Sequence, residues 1–178
     1  MASKKLRKGQ CYRMHERAYT RKSKYKKRNY IKAVPQHKIV KFNMGNSKKE
    51  FKYRIDLISK GALQIRHNSI EATRQAINRK LVKLIGNQDF YLMVRVYPHH
   101  AQRENKQMGG QHADRIQSGM KHPFGRIMNV AALVKEGKEL FTAYTDEKGL
   151  EAVRETFKAV SSKLPCKIGV DVFEINKN

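Results

Sequence analysis

The distribution of positive charge limits what this chain can fold into more than any other feature of its sequence. Its 178 residues carry 39 Lys and Arg against 15 Asp and Glu, a formal net charge of +24. Residues 1–38 hold 14 basic residues and one acid, residues 39–134 hold 17 and six, and residues 135–178 hold eight of each. A small domain this basic repels itself unless a polyanion neutralises it. We therefore expect the first three-quarters of the chain to face a polyanion, and the last quarter to face water or protein.

Nucleic acid is the polyanion that this charge favours, because Lys and Arg displace counterions from phosphates. A membrane surface is the alternative, but no apolar run approaches the roughly 20 residues that span a bilayer. The basic start of the chain is not followed by a hydrophobic signal core. We therefore expect a cytosolic protein whose two isolated cysteines, Cys11 and Cys166, form no disulfide.

Residues 1–33 predict a basic arm ahead of a folded domain over 34–178. Four tyrosines (Tyr12, Tyr19, Tyr25 and Tyr30) are interleaved with its cations, and aliphatic residues are too few for a core. Without a partner we expect such a segment to be disordered or extended. It is either a solvated tail or an arm threaded into RNA, and the regular tyrosines favour the second. The predicted RNA-binding residues are Arg7, Lys8, Arg13, Arg17, Arg21, Lys22, Lys24, Lys26, Lys27 and Arg28.

The first predicted helix covers residues 69–85. Asn68 and Glu71 have the spacing of a capping box, and Gly86 suits the position after the C-cap. No acid follows Glu71 on the helix, so the outer face is predicted to bind phosphate, with a merely solvated basic face as the alternative. The predicted core stripe is Ile70, Thr73, Ile77, Leu81 and Leu84, and the RNA-binding surface residues are Arg74, Arg79 and Lys83.

A second helix is predicted at 146–164, ended by Pro165 and carrying charges of both signs on its outer face. Strands are predicted at 39–42, 51–57, 63–65, 90–97, 126–130, 140–144 and 168–175, with turns at 43–46 and at Gly137. The predicted core face of the second helix is Leu150, Val153, Phe157, Val160 and Leu164.

Residues 99–123 are polar, rich in Gln, Gly and His, and lack periodicity. A loop of this length inside a domain is usually functional or disordered. Its histidines match no zinc spacing, so contacts with RNA or simple exposure are preferred to a metal site. Those histidines are His99, His100, His112 and His122.

No catalytic motif is found. The chain has no nucleotide-binding signature and no nucleophile in a plausible motif, and its acids are sparse through residue 134. We therefore predict no enzyme, no cofactor, no metal and no small-molecule substrate. Two alternatives stay open: an RNA-modifying enzyme, which needs a cofactor pocket or poised nucleophile, and a chromosomal architectural protein, which would bind duplex DNA equally well.

Three groups of residues resemble one family, the universal large-subunit ribosomal protein numbered sixteen in bacteria and ten in eukaryotes. The archaeal ten-e form is the best match, because the chain ends just after the final strand region. His112 departs from the family's usual Gly, and His122 with Pro123 departs from its small residues. The matching segments are Arg7-Lys-Gly-Gln-Cys-Tyr-Arg13 with Ala18-Tyr-Thr-Arg21, Ser69-Ile-Glu-Ala-Thr-Arg-Gln-Ala76, and Arg103-Glu-Asn-Lys106 with Ala113-Asp-Arg115, Gln117, Gly119-Met120 and Phe124-Gly125.

The resemblance implies a single compact α+β domain in which two helices pack on an antiparallel or mixed sheet containing a hammerhead-like β motif. It implies a structural constituent of the large ribosomal subunit in the cytoplasm, with ribosomal RNA, tRNA and neighbouring ribosomal proteins as partners. The expected place is beside the peptidyl-transferase centre, where the long loop helps to position tRNA at the aminoacyl site. The loop residues expected nearest tRNA are Arg103, Asn105, Lys106, Arg115 and Gln117.

Overall fold

Two antiparallel sheets and two helices make up the fold in a computed structural model that describes residues 9–20, 31, 33–105 and 125–175. This confirms the predicted α+β class. Helix α1 spans His67–Leu84 and helix α2 spans Leu150–Ala159. The strands are β1 Asn43–Gly45, β2 Tyr53–Ser59, β3 Leu63–Arg66, β4 Phe90–Val94, β5 His100–Glu104, β6 Arg126–Val134, β7 Glu139–Thr145 and β8 Ile168–Glu174.

The larger sheet has the strand order β1-β4-β7-β2-β8, and one of its faces carries the main core. The register pairs Leu57 with Phe141 and Leu92 with Ala143, so these apolar side chains share a face. They form one buried cluster with α1 and α2, which cover this face. On the other face of β2, Asp56 is buried as well, and its carboxylate accepts a hydrogen bond from Thr142 Oγ1 at 2.6 Å and pairs with Arg54 at 2.7 Å.

The smaller sheet has the order β3-β6-β5 and places one apolar face against α1. Ile65, Ala132 and Val134 on that face belong to the same buried cluster. Polar residues occupy the opposite face, where Gln64 and Gln102 lie at positions paired with β6. The small sheet therefore carries two buried amide side chains on the face that points away from α1.

Helix α1 confirms most of its predicted stripe, but its start differs from the prediction. The N-cap is Arg66 and makes no side-chain cap hydrogen bond, while Asn68 lies inside the helix, so the predicted capping box is wrong. Gly86 has φ +92° directly after the C-cap, as predicted. The predicted core position of Leu84 is wrong: Leu84 is 56% exposed, because Ile85 packs against the core at this end.

Helix α2 is shorter than predicted, because one-turn 3₁₀ segments flank it at Glu147–Gly149 and Ser161–Lys163. Its predicted apolar face is nevertheless confirmed. Val153, Phe157, Val160 and Leu164 are buried, and Leu150 packs half-buried against the core.

One strand prediction was wrong, and the predicted loop contains a strand that was not predicted. Residues 39–42 do not form a strand, although Ile39 is buried and Phe42 packs on the core. The strand in this region is β1, which occupies the predicted turn at 43–46 and pairs with β4. Strand β5 lies within the predicted loop 99–123, because pairing with β6 outweighs its polar sequence. No helix in the described ranges is long and apolar enough to cross a membrane.

Candidate nucleic-acid interface

Residues 9–20, the N-terminal segment, lie across the polar face of the small sheet. The Tyr12 carbonyl accepts a hydrogen bond from the Gln64 N–H at 3.0 Å, and Arg13 forms a bridge with Leu63 of β3. The Tyr19 carbonyl accepts one from the Ala101 N–H of β5 at 2.9 Å. Since β3 and β5 are the outer strands, the segment crosses from one edge of this sheet to the other.

Two buried amides fix this crossing. Gln64 is 1% exposed and Gln102 is 9% exposed, and the Gln102 Nε2 donates to Gln64 Oε1 at 2.9 Å. Gln102 Nε2 also donates to the Cys11 carbonyl at 2.8 Å, and Gln64 Nε2 donates to the Arg13 carbonyl at 2.6 Å. A buried amide is destabilising unless it is hydrogen-bonded. This pair is not evident from the sequence, where its only signal is a polar residue between Leu63 and Ile65.

Two buried histidines accept backbone hydrogen bonds, one from the N-terminal segment and the other from the chain before β1. His100 Nδ1 accepts a hydrogen bond from the Tyr19 N–H at 2.9 Å, and the His15 ring lies 5.1 Å away. Burial, helped by the charges of His15 and Arg103, lowers the pKa of His100 to about 4. His67 Nδ1 accepts from the Lys38 N–H at 3.1 Å, and burial lowers its pKa as well.

We expect acidification to weaken the fold through His100. Its folded-state pKa lies below its unfolded value, so the unfolded state takes up the proton first. The free energy of unfolding that neutral His100 contributes is fully present above about pH 6.5. It is lost as the pH falls toward about 4, and the loss is at most roughly 3 kcal/mol. Urea unfolding at about pH 7 and pH 5 measures this. His100→Asn keeps an acceptor near the Tyr19 N–H but removes the titrating imidazole. The fall in unfolding free energy between the two pH values should therefore be smaller in this variant, by the amount that His100 contributes. An equal loss in both proteins would contradict this assignment.

Arginines of the small sheet pack on tyrosines of the N-terminal segment. The Arg66 guanidinium lies 5.7 Å from the Tyr12 ring and donates to the Tyr12 hydroxyl at 3.2 Å. The Arg103 guanidinium lies 4.5 Å from the Tyr19 ring. Such cation–π contacts hold a charge in place without neutralising it. We call the set Tyr12, Arg13, Arg17, Tyr19, Arg66 and Arg103 the arm–sheet surface; Arg13, Arg17 and Arg103 are exposed.

A second basic surface lies on α1. Arg79, Lys80 and Lys83 are exposed, as the sequence predicts for the first and last. Within the part of the chain that the structure describes, none of the three forms an ion pair. Ordinary exposed helices place acids three or four residues from such cations. The described part of the chain therefore supplies no acidic partner to these three cations.

The predicted surface position of Arg74 is wrong. Arg74 is 8% exposed, and its Nε and Nη2 donate to Glu71 at 2.8 and 2.6 Å. Glu71 also accepts from the Val40 N–H at 3.3 Å, which joins α1 to the chain before β1. Hydrogen bonding to Arg74 lowers the pKa of Glu71 and keeps it charged. This pair explains why Glu71 does not serve a capping box.

Strands β5 and β6 form a stem at the base of the long loop. Glu104 pairs with Arg126 at its end. A Cβ on Gly125 would lie 2.4 Å from the Glu104 carbonyl carbon, so only glycine permits this close approach. Arg103 belongs to β5, and Asn105 directly follows that strand. The chain therefore leaves the small sheet at residue 105, after β5, and returns to it at residue 125, before β6. Both points lie beside the arm–sheet surface.

Many predicted contacts lie outside the described residues. His99 and His100 are described, but no group of three or more potential metal ligands occurs in the described ranges. Cys11 and Cys166 are both free thiols, and burial raises the pKa of Cys166. The predicted residues beyond the described ranges are Arg7, Lys8, Arg21, Lys22, Lys24, Lys26, Lys27, Arg28, Lys106, His112, Arg115, Gln117 and His122.

Comparison with known proteins points to one family. The family model described as ribosomal protein L16p/L10e matches residues 19–170. A protein of Methanococcus maripaludis named large ribosomal subunit protein uL16 is 43% identical over 168 residues, 93% of this chain and 94% of that protein. A protein of the same name from Metallosphaera sedula is 44% identical over 163 residues, 90% of each chain. The chain belongs to the ribosomal protein L16p/L10e family, and it is therefore a structural ribosomal protein and not an enzyme.

Proposed function

We propose that the chain binds large-subunit ribosomal RNA near the peptidyl-transferase centre and helps to position tRNA at the aminoacyl site. The uL16 name of its archaeal relatives supports a place in the large subunit. The observation that carries the RNA-binding part is the arm–sheet surface, where Arg66 and Arg103 are held by tyrosines over a buried amide pair. Preorganised arginines suit phosphate, which needs fixed donors and positive charge.

The contacts are proposed to be mainly with phosphates. Arg13, Arg17, Arg79 and Lys83 are exposed, and no common base-reading signature occurs in the sequence. Phosphate contacts fix the position and orientation of a protein on RNA without reading its sequence. Arg74 is left out of the proposed set because its guanidinium is held by Glu71. We expect the remaining cations to place the domain in one orientation on ribosomal RNA.

The tRNA-directed role is assigned to the loop that begins after Asn105. Its stem is fixed by β5 and β6, and Arg103 on that stem is part of the arm–sheet surface. If this surface sits on ribosomal RNA, the loop starts at the RNA boundary and can extend away from it. Lys106, Arg115 and Gln117 are the proposed loop contacts, and Arg103 and Asn105 would act at its base.

Deleting residues 106–115 should impair tRNA handling while leaving the domain folded and docked. The deletion begins after Asn105 because Arg103 and Glu104 belong to β5 and pair with β6 in the stem. We expect large subunits carrying the shortened protein to form normally and to bind aminoacyl-site tRNA more weakly. Sucrose gradients measure incorporation, and tRNA binding to purified ribosomes measures the effect.

A matched control substitutes Glu136 and Lys138 by Ser in the turn between β6 and β7, which leaves the long loop intact. This control should behave as the unaltered protein in both measurements. Normal tRNA binding and translation by subunits with the shortened loop would contradict the loop assignment. Failure of the unaltered protein to sediment with large subunits would contradict the ribosomal assignment itself.

A further inference from the structure

Strand β8 forms a long open edge of the larger sheet. It lies last in the order β1-β4-β7-β2-β8, and among the described strands it pairs only with β2. Its seven residues contain no proline and pair with β2 without a bulge. An edge strand of this length presents unpaired N–H and C=O groups that another chain can use, unless the fold blunts or covers it.

The other three sheet edges are short or covered. Strand β1, at the opposite edge of the larger sheet, has three residues and ends at Gly45 with φ +84°. Strands β3 and β5, the edges of the small sheet, each donate a main-chain hydrogen bond to the N-terminal segment, from the Gln64 and Ala101 N–H groups. Short strands and covering chain are common protections against unwanted pairing. Within the described ranges, β8 is the edge that has neither.

The hydrogen bonds at both ends of β8 show which of its backbone groups face outward. The Ile175 N–H donates to the Lys52 carbonyl at 2.8 Å, and the Lys60 N–H donates to the Lys167 carbonyl at 3.0 Å. Because hydrogen-bonded pairs alternate along an antiparallel ladder, every second residue of β8 turns its N–H and C=O away from β2. These residues are Ile168, Val170, Val172 and Glu174.

The two faces of β8 differ in polarity. Ile168, Val170 and Val172 pack half-buried against the core, on the face that the helices cover. On the opposite face Asp171 is exposed and Phe173 is 49% exposed. A strand added at this edge would therefore meet apolar side chains on one face and a carboxylate beside an aromatic ring on the other.

The charge of β8 is opposite to that of the whole chain. The strand carries Asp171 and Glu174 and no cation, and no other described strand has two acids without a cation. These carboxylates repel RNA phosphate and attract cationic side chains. A second copy of β8 would add two more acids to the same ladder, which disfavours self-pairing. The edge therefore favours a basic polypeptide over RNA and over a second copy of this chain.

We propose that β8 docks an extended segment of another large-subunit protein, in which apolar and basic residues alternate, as an added strand. The proposal rests on family membership and not on the proposed RNA-binding function. Backbone pairing would supply affinity, and the alternation would supply specificity. Apolar side chains of the added strand would extend the row that contains Val170. Its Lys or Arg side chains would place their charge near Asp171 and their methylene groups on Phe173.

Val170→Pro removes one outward-facing donor from this edge. The Val170 N–H does not bond to β2, so proline is compatible with the existing sheet, as it is at edge positions in general. Val170→Ala is the matched control, because it shortens the side chain but keeps the N–H. One backbone hydrogen bond changes affinity by roughly 2- to 12-fold. The full-length Val170→Pro protein should bind large subunits more weakly than the Val170→Ala protein by about this factor.

Competition for large subunits washed free of this protein measures the difference. The two variants are mixed in equal amounts with the washed subunits, and mass spectrometry of the refilled subunits gives their ratio. Both variants should bind isolated large-subunit ribosomal RNA equally well. Equal incorporation into subunits would overturn the proposal. A Val170→Pro defect of the same size on isolated RNA would also overturn it, because the edge would then face RNA.

Cross-linking identifies what lies against the edge. The photoreactive residue p-benzoylphenylalanine in place of Phe173 should cross-link, in assembled subunits, to an extended protein segment with alternating apolar and basic residues. A cross-link to RNA alone would contradict the proposal. A dimer of the free protein that Val170→Pro dissociates would also contradict it, by assigning the edge to a second copy.

The outcomes separate this proposal from the RNA-binding one. Failure of the unaltered protein to bind ribosomal RNA at low salt would overturn the proposed function and leave the competition result standing. Circular dichroism establishes that each variant folds. If Val170→Pro does not fold, Val172→Pro with Val172→Ala as its control replaces it, since the Val172 N–H also faces the open edge.

Discussion

Arg74→Ala is expected to lower the free energy of unfolding by about 3–5 kcal/mol, a loss on the scale of a small domain's whole stability. The substitution leaves Glu71, which is only 7% exposed in the unaltered protein, without its main partner. It also removes the Arg74 contact with Met44 Sδ at 2.9 Å, which ties α1 to β1. Urea unfolding followed by circular dichroism measures the change.

Arg79→Ala provides the comparison on the same helix. Arg79 is exposed and unpaired in the described structure, so its loss should change stability by no more than about 0.5 kcal/mol. Replacing the buried pair together, by Glu71→Leu with Arg74→Met, should recover much of the lost stability because no lone charge remains. Equal destabilisation by Arg74→Ala and Arg79→Ala would contradict the structural assignment. Weaker RNA binding by a fully stable Arg74→Ala would return Arg74 to the RNA-binding set.

The elements with strong periodicity could be predicted from the sequence. Ile70, Ile77 and Leu81 recur at helical spacing and are buried on α1. Strand β5 could not be predicted in the same way, because its sequence is polar and its stability comes from partners distant in sequence. Gln102, for example, is satisfied by Gln64 and by the carbonyl of Cys11, 91 residues earlier. Local patterns carry no information on such pairings.

The overall charge of the candidate interface was evident from the sequence, but the state of each cation was not. Arg74 and Arg79 lie five residues apart on α1, yet one is buried in an ion pair and the other is exposed. The available signal was Glu71 three residues before Arg74, a spacing at which side chains meet on a helix. The contact of Arg103 with Tyr19 joins residues far apart in the chain and left no such signal.

The central claim is that positive charge in the first three-quarters of the chain is balanced by RNA phosphate. A protein that contacts 6–10 phosphates loses roughly 10³- to 10⁵-fold in affinity between about 50 and 200 mM salt. We expect a loss of this size for the full-length protein and ribosomal RNA. Arg79→Ala should lower the slope of log affinity against log salt by about one, because one phosphate contact is lost.

The most direct test is a salt titration of the affinity of the purified full-length protein for large-subunit ribosomal RNA. Our account predicts tight binding at low salt and a steep linear fall of log affinity with log salt concentration. Binding that is absent at low salt, or that does not weaken as salt is added, would contradict it.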